Sequence, residues 1–131
     1  MGLFRRDLYK EFSKWIDKHL EKEIPKEIIA INFNLYEGSG NTYDVEVIGS
    51  NEFDENNEDW ACAESFTTRD DLFRINRTKD ISEWEHGLEY IKDMVNKYLS
   101  EGRHLNKLKV YQAVGIGFVD GNIEILYKNS N

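Results

Sequence analysis

From residue 28 to residue 47 the chain writes two short alternating patterns back to back. In the first, Ile29, Ile31, Phe33 and Leu35 fall on one side and Ala30, Asn32, Asn34 and Tyr36 on the other. In the second, Tyr43, Val45 and Val47 alternate with Asp44 and Glu46. A period of two marks a half-buried strand. Only Glu-Gly-Ser-Gly-Asn separates the runs. A parallel crossover needs about a dozen residues or more, so these strands are antiparallel neighbours. Whatever else folds here must cover their apolar side.

Two helical patterns can supply that cover. Between residues 3 and 22, Phe4, Leu8, Phe12, Trp15, Ile16, His19 and Leu20 keep three- and four-residue spacing. Arg6, Lys10, Lys14, Lys18 and Lys22 form a ladder that reads as the solvated face, helped by Asp7–Lys10 and Glu11–Lys14 pairs. Pro25 stops this helix. Between residues 81 and 99, Ile81, Trp84, Leu88, Ile91, Val95 and Tyr98 step by three and four in turn. Ser82 with Glu85, or Asp80 with Glu83, would form a capping box, and Gly102 a C-terminal stop.

The remaining runs read as strands. WACAESF is expected to be a third strand and LFRIN a short fourth. At the end, Leu108, Val110, Val114, Ile116 and Phe118 alternate up to Asp120-Gly121, a favoured type I′ turn. That turn would set Phe118 opposite Ile123, Ile116 opposite Ile125 and Val114 opposite Tyr127. The expected fold is a single α+β domain over residues 1–131, in the order α-β-β-β(-β)-α-β-β. Its mainly antiparallel sheet has five to six strands, with both helices on one face.

Charge narrows the function classes. The net charge is −8, which disfavours nucleic acid, since phosphate affinity comes from clustered Lys and Arg. From Glu27 to Thr68 there are ten acids and no Lys or Arg, so the remainder of the chain carries +2. No apolar run approaches the roughly 18 residues of a membrane span, and the first residues carry no signal peptide pattern. The one cysteine, Cys62, excludes an internal disulfide and suits a reducing cytoplasm.

The chemical motifs fail one by one. Read as an EF-hand from Asp54, the loop has Asp59 where Gly must stand and Ser65 where a bidentate Glu must stand. His19, His86 and His104 are isolated, so no zinc site is expected. Cys62 reads as a buried thiol on a strand. GIGFVDG runs into a hairpin and offers no helix N-terminus to a phosphate. Gly115 and Gly117 are expected instead to admit something bulky, such as a helix aromatic. No catalytic residue and no cofactor is assigned.

What remains is the acidic stretch. Glu52, Asp54, Glu55, Glu58 and Asp59 crowd an expected inter-strand loop that leads into Trp60. WACAESF, the long amphipathic helix and VGIGFVDGNIEILY together resemble bacterial immunity proteins of polymorphic or contact-dependent toxin systems. The motif content of that resemblance is Trp60-Ala61-Cys62 with Phe66, and Gly117-Phe118-Val119-Asp120-Gly121. It implies a small, cytoplasmic, non-catalytic inhibitor of a toxin domain. The charge map supplies the expected surface: the five carboxylates steer a basic toxin, with Trp60 as anchor. Two other expectations stand beside it. One is a small-ligand module or enzyme using the helix-free sheet face at Asn32, Asn34 and Tyr36. The other is a self-associating structural protein, for instance a homodimer.

Overall fold

The computed structural model describes residues 8–129. Phe4, Arg6 and Asp7 of the expected leading helix, and with Asp7 its pairing to Lys10, lie outside the described residues. The chain runs α1 (Leu8–Leu20), β1 (Ala30–Gly38), β2 (Thr42–Ser50), a 3-10 turn (Glu58–Cys62), β3 (Glu64–Thr67) and β4 (Phe73–Asn76). A second 3-10 turn (Lys79–Ile81), α2 (Trp84–Glu101), a short α3 (Leu105–Lys109), β5 (Ala113–Phe118) and β6 (Glu124–Lys128) complete it. This is an α+β fold on one six-stranded sheet, ordered β3-β2-β1-β5-β6, with β4 sharing the outer edge of β2. β1 and β5 run parallel; every other pair is antiparallel.

One sheet face is apolar, as the alternation of β1 and β2 requires. Ile31, Phe33, Leu35, Tyr43, Val45 and Val47 pack with Phe12, Ile16 and Leu20 of α1 and with Ile91, Val95 and Tyr98 of α2. Each such side chain contributes about 1.5–3 kcal/mol when fully buried, so this layer dominates the folding energy. Phe73 of β4 closes one end, its ring 5.5 Å from Phe12 and 5.7 Å from Trp15. α2 comes close to the sheet at Gly87, where an added Cβ would run into the Tyr43 ring. The Tyr43 hydroxyl donates to the Ile81 carbonyl at 2.7 Å, and the Arg77 guanidinium donates to Ser82 O at 2.9 Å. These bonds hold the start of α2 from outside. Its N-cap, Glu83, makes no side-chain capping bond, and neither expected capping box forms. Gly102 is the C-cap, as expected.

The C-terminal hairpin departs from its sequence pattern in three ways. Leu108 lies in α3 and is fully buried, while Val110 is 69% exposed, so the apparent alternation there belongs to a helical turn. Val114 pairs with Tyr127 as expected, but a bulge follows, and Ile116 then faces Glu124 instead of Ile125. The turn closes through the Gly121 N–H and the Phe118 carbonyl at 2.9 Å. Neither Asp120 nor Gly121 has a positive φ, which a type I′ turn demands at both positions. The physical reason lies at Gly117: the Asn122 carbonyl rests where its side chain would be, and the returning strand is drawn out of register.

His19 tests the packing of α1. It is 5% exposed, its Nε2 is 2.9 Å from Asp71 Oδ2, and Lys18 Nζ meets the same oxygen at 2.5 Å. Burial is the larger influence and holds the imidazole below its ordinary value despite the Asp71 carboxylate. The unfolded chain therefore takes up this proton first, and stability present above the ordinary value of 6.5 is lost as pH falls through the folded value. Thermal unfolding from about pH 7.5 to about pH 5.5 should show a falling midpoint, and His19→Gln should flatten that slope. Equal slopes in the two proteins would contradict this account.

Candidate functional site

The second sheet face carries Asn32, Asn34 and Tyr36 from β1 and Asp44, Glu46, Ile48 and Ser50 from β2. The expectation of an open polar face is corrected. Glu46 is 1% exposed, Asn32 1% and Ser50 fully buried. The Glu46 carboxylate accepts from the Tyr36 hydroxyl at 2.5 Å, from the Thr67 hydroxyl, and from Asn34 Nδ2 at 3.4 Å. Burial first, and then this carboxylate, push the Tyr36 phenol up to about 12. Asn32 Nδ2 donates to Asn34 Oδ1 at 2.6 Å. The polar groups of this face are thus largely spent on one another. Asn32 Oδ1 is the buried exception without a partner. It lies against Gly115, where a Cβ would sit 2.6 Å from it and 2.9 Å from Ile123. Gly115 therefore makes room for an amide and a hairpin residue, not for a helix aromatic.

The acidic stretch closes the Ser50 end of this face. Its geometry starts from one hydroxyl: Ser50 Oγ donates to the Trp60 carbonyl at 2.6 Å and accepts from the Glu52 N–H at 3.1 Å. One buried side chain thereby ties both ends of the loop. In between, Asp54 Oδ1 accepts from Asn56 N–H at 2.9 Å, and Asn57 Oδ1 caps the 3-10 turn through Asp59 N–H at 3.0 Å. Two side chains anchor the loop to the C-terminal hairpin. Glu55 meets Lys128 Nζ at 2.8 Å, and Glu58 Oε2 accepts from the Ile123 N–H at 3.1 Å.

Here WACAESF differs from the strand it was expected to be. Glu58–Cys62 is a 3-10 turn, and β3 begins only at Glu64. The carboxylates at Glu58 and Asp59 sit in its first turn, the end of a helical turn where negative charge is favoured. Trp60 is 2% exposed, its ring 5.3 Å from Phe53 and nearly perpendicular to it. It is thus the floor of the loop and offers no anchor to a partner. Cys62 is exposed on the turn, contrary to the buried thiol expected on a strand.

Folding also redraws the charge map. Three arginines that follow the acidic window in sequence fold back onto it. Arg77 pairs with Glu37 at 2.9 Å and Arg74 with Asp44 at 3.7 Å. Arg69 reaches Glu64 at 3.4 Å and Glu46 at 3.9 Å. The uncompensated acidity contracts to the loop. Glu52, Asp54, Glu55, Glu58 and Asp59 are all exposed, and among the described residues Lys128 is the one cation paired with any of them. Sequence reasoning found these five but missed Ser50, Asn57 and Lys128, which hold them. Asn57 before Glu58-Asp59 is a legible cap signal; Ser50 and Lys128 act through tertiary contacts that no local pattern announces.

Among the described residues no three His, Cys, Asp or Glu side chains are grouped to hold a metal ion, and no helix is long and apolar enough to cross a membrane. Comparison with protein-family models, with curated proteins and with solved structures finds no match to this chain.

The floor of the loop can be tested directly. Trp60→Ala should lower the unfolding free energy by about 3–5 kcal/mol in urea titrations, the usual cost of truncating a buried tryptophan. A loss below about 1 kcal/mol would mean that the ring is not packed as described.

Proposed function

We propose that this chain is a non-catalytic, cytoplasmic inhibitor of the immunity-protein kind, which occludes a basic toxin domain with its acidic loop. The observation that carries the reading is the loop itself: five exposed carboxylates, stripped of compensating arginines, on a backbone tied at both ends to Ser50. Exposed charges in water interact by only about 1 kcal/mol at contact distance, so such a surface is better suited to guiding encounter than to holding a complex. Several together, acting in concert over a screening length of about 8 Å, raise association rates and select basic partners. The resemblance of Trp60-Ala61-Cys62 and the Gly117–Gly121 segment to immunity proteins supports the same partner class.

The cleanest test spares the residues that hold the loop. Glu55 binds Lys128, Glu58 binds Ile123 and Asp54 shapes the turn, whereas Glu52 and Asp59 use only their backbone N–H groups. Glu52→Lys combined with Asp59→Lys should leave the fold intact and slow association with a cognate basic toxin domain by about tenfold or more at low salt. The difference should shrink as salt rises. An unchanged association rate would remove the loop from the mechanism. Failure of the unmodified chain to protect cells expressing that toxin domain would overturn the reading altogether.

A further inference from the structure

We infer that the groove between α2 and the β5–β6 loop receives a cationic side chain, arginine or lysine, presented by a protein partner. The groove holds about 490 Å³, within the roughly 300–1,000 Å³ range of small-molecule sites. Trp84, Leu88 and Phe118 give it an apolar lining. Trp84 is 49% exposed, and its ring stands edge-on to Phe118, with centroids 6.1 Å apart. Glu37, Asp120 and Glu124 supply its charged lining, and no Lys or Arg is among the lining residues. An accessible indole among carboxylates suits a cation through both the ring quadrupole and charge. An anionic side chain would meet the uncompensated Asp120 carboxylate. A neutral one would desolvate it without return.

The chain already uses this chemistry on itself. The Arg77 guanidinium lies 4.5 Å over the Tyr43 ring while its Nη1 bonds Glu37 at 2.9 Å. Lys97 covers Tyr9 at 4.4 Å, and Lys109 covers Tyr127 at 5.3 Å. The three carboxylates are not equivalent. Glu37 is paired with Arg77, and Glu124 with Lys92 at 3.3 Å. Asp120 is exposed and makes no ion pair among the described residues. It is therefore the carboxylate most available to an incoming cation.

The inference deepens the proposed function and rests on it for the source of the cation. The two surfaces adjoin: Glu58 of the acidic loop bonds the Ile123 N–H, and Ile123 also lines the groove. A basic partner drawn in by the loop would find its point of attachment here, in the role that buried Trp60 cannot fill.

The test is a nuclear magnetic resonance titration of the whole chain with acetyl-Gly-Arg-Gly-amide. Its control is the same peptide with citrulline, the neutral isostere. The arginine peptide should give saturable shifts at the Trp84 indole N–H and the Leu88 methyls, and the citrulline peptide should bind at least fivefold more weakly. Asp120→Asn should weaken the arginine peptide at least threefold. Trp84→Leu, read at the Leu88 and Ile123 methyls, should abolish its saturable binding. Equal binding of the citrulline peptide, or shifts centred on residues 52–59, would overturn the inference. Tighter binding of agmatine than of the peptide would assign the groove to a small amine and overturn it as well. No toxin enters this experiment, so its failure leaves the proposed function standing, and failure to protect cells leaves the titration result standing.

Discussion

The constraint on which this structure turns is a buried carboxylate. Glu46 stands at the middle of the second sheet face with its side chain almost wholly out of water. Removing a carboxylate from solvent costs several kcal/mol unless hydrogen bonds replace the lost water. Tyr36, Thr67 and Asn34 provide them, and Arg69 approaches within 3.9 Å. These partners come from both neighbours of β2, from β1 and from the end of β3. Tyr36 and Asn34 require the β1–β2 register, and Thr67 requires β3 on the edge of β2. Thr68 adds to that edge: its hydroxyl accepts from the Val47 N–H at 2.9 Å. Satisfying Glu46 thus fixes where β3 lies, and β3 fixes where the acidic loop must return. The loop then closes the remaining apolar end of the face, where Ile48, Ala30, Ala113 and Trp60 are buried.

The same return explains why the loop is acidic in effect and not only in composition. Arg69, Arg74 and Arg77 follow β3 and flank or belong to β4, and both strands pair with β2. They neutralise the acids of the sheet and leave those of the loop exposed. Order matters to what such a loop can do. Fixing a flexible backbone upon binding would cost about 1–2 kcal/mol per residue, more than exposed charges recover at contact. A loop held in advance by Ser50, Asn57, Trp60 and the hairpin spends little of that on association.

Much of the architecture was legible from side-chain period alone. The β1–β2 hairpin, the two main helices and the apolar face follow from alternation and three-four spacing, because burial of one face is a local, periodic demand. The errors share a cause. Trp60 and Leu108 each sit where a short apolar pattern fitted a strand equally well, and Gly117 lies in the expected strand but in a hairpin of shifted register. In each case a tertiary contact decided: Ser50 on the Trp60 carbonyl, the core around Leu108, and the Asn122 carbonyl against Gly117. The five carboxylates of the candidate site could be read from composition. Their isolation from cations could not, because the arginines that silence their neighbours arrive from later in the chain. The groove at Trp84 was hidden for the opposite reason. Its indole falls on the apolar stripe of α2, which predicts burial, yet the helix begins there and leaves the ring half outside.

The central claim is that the acidic segment is a pre-ordered platform and not a mobile tether. Backbone ¹⁵N relaxation measures this directly on the nanosecond scale. The account predicts order parameters for Glu52 to Asp59 close to those of β2, about 0.8 or above. Values below about 0.6 across that segment would contradict it.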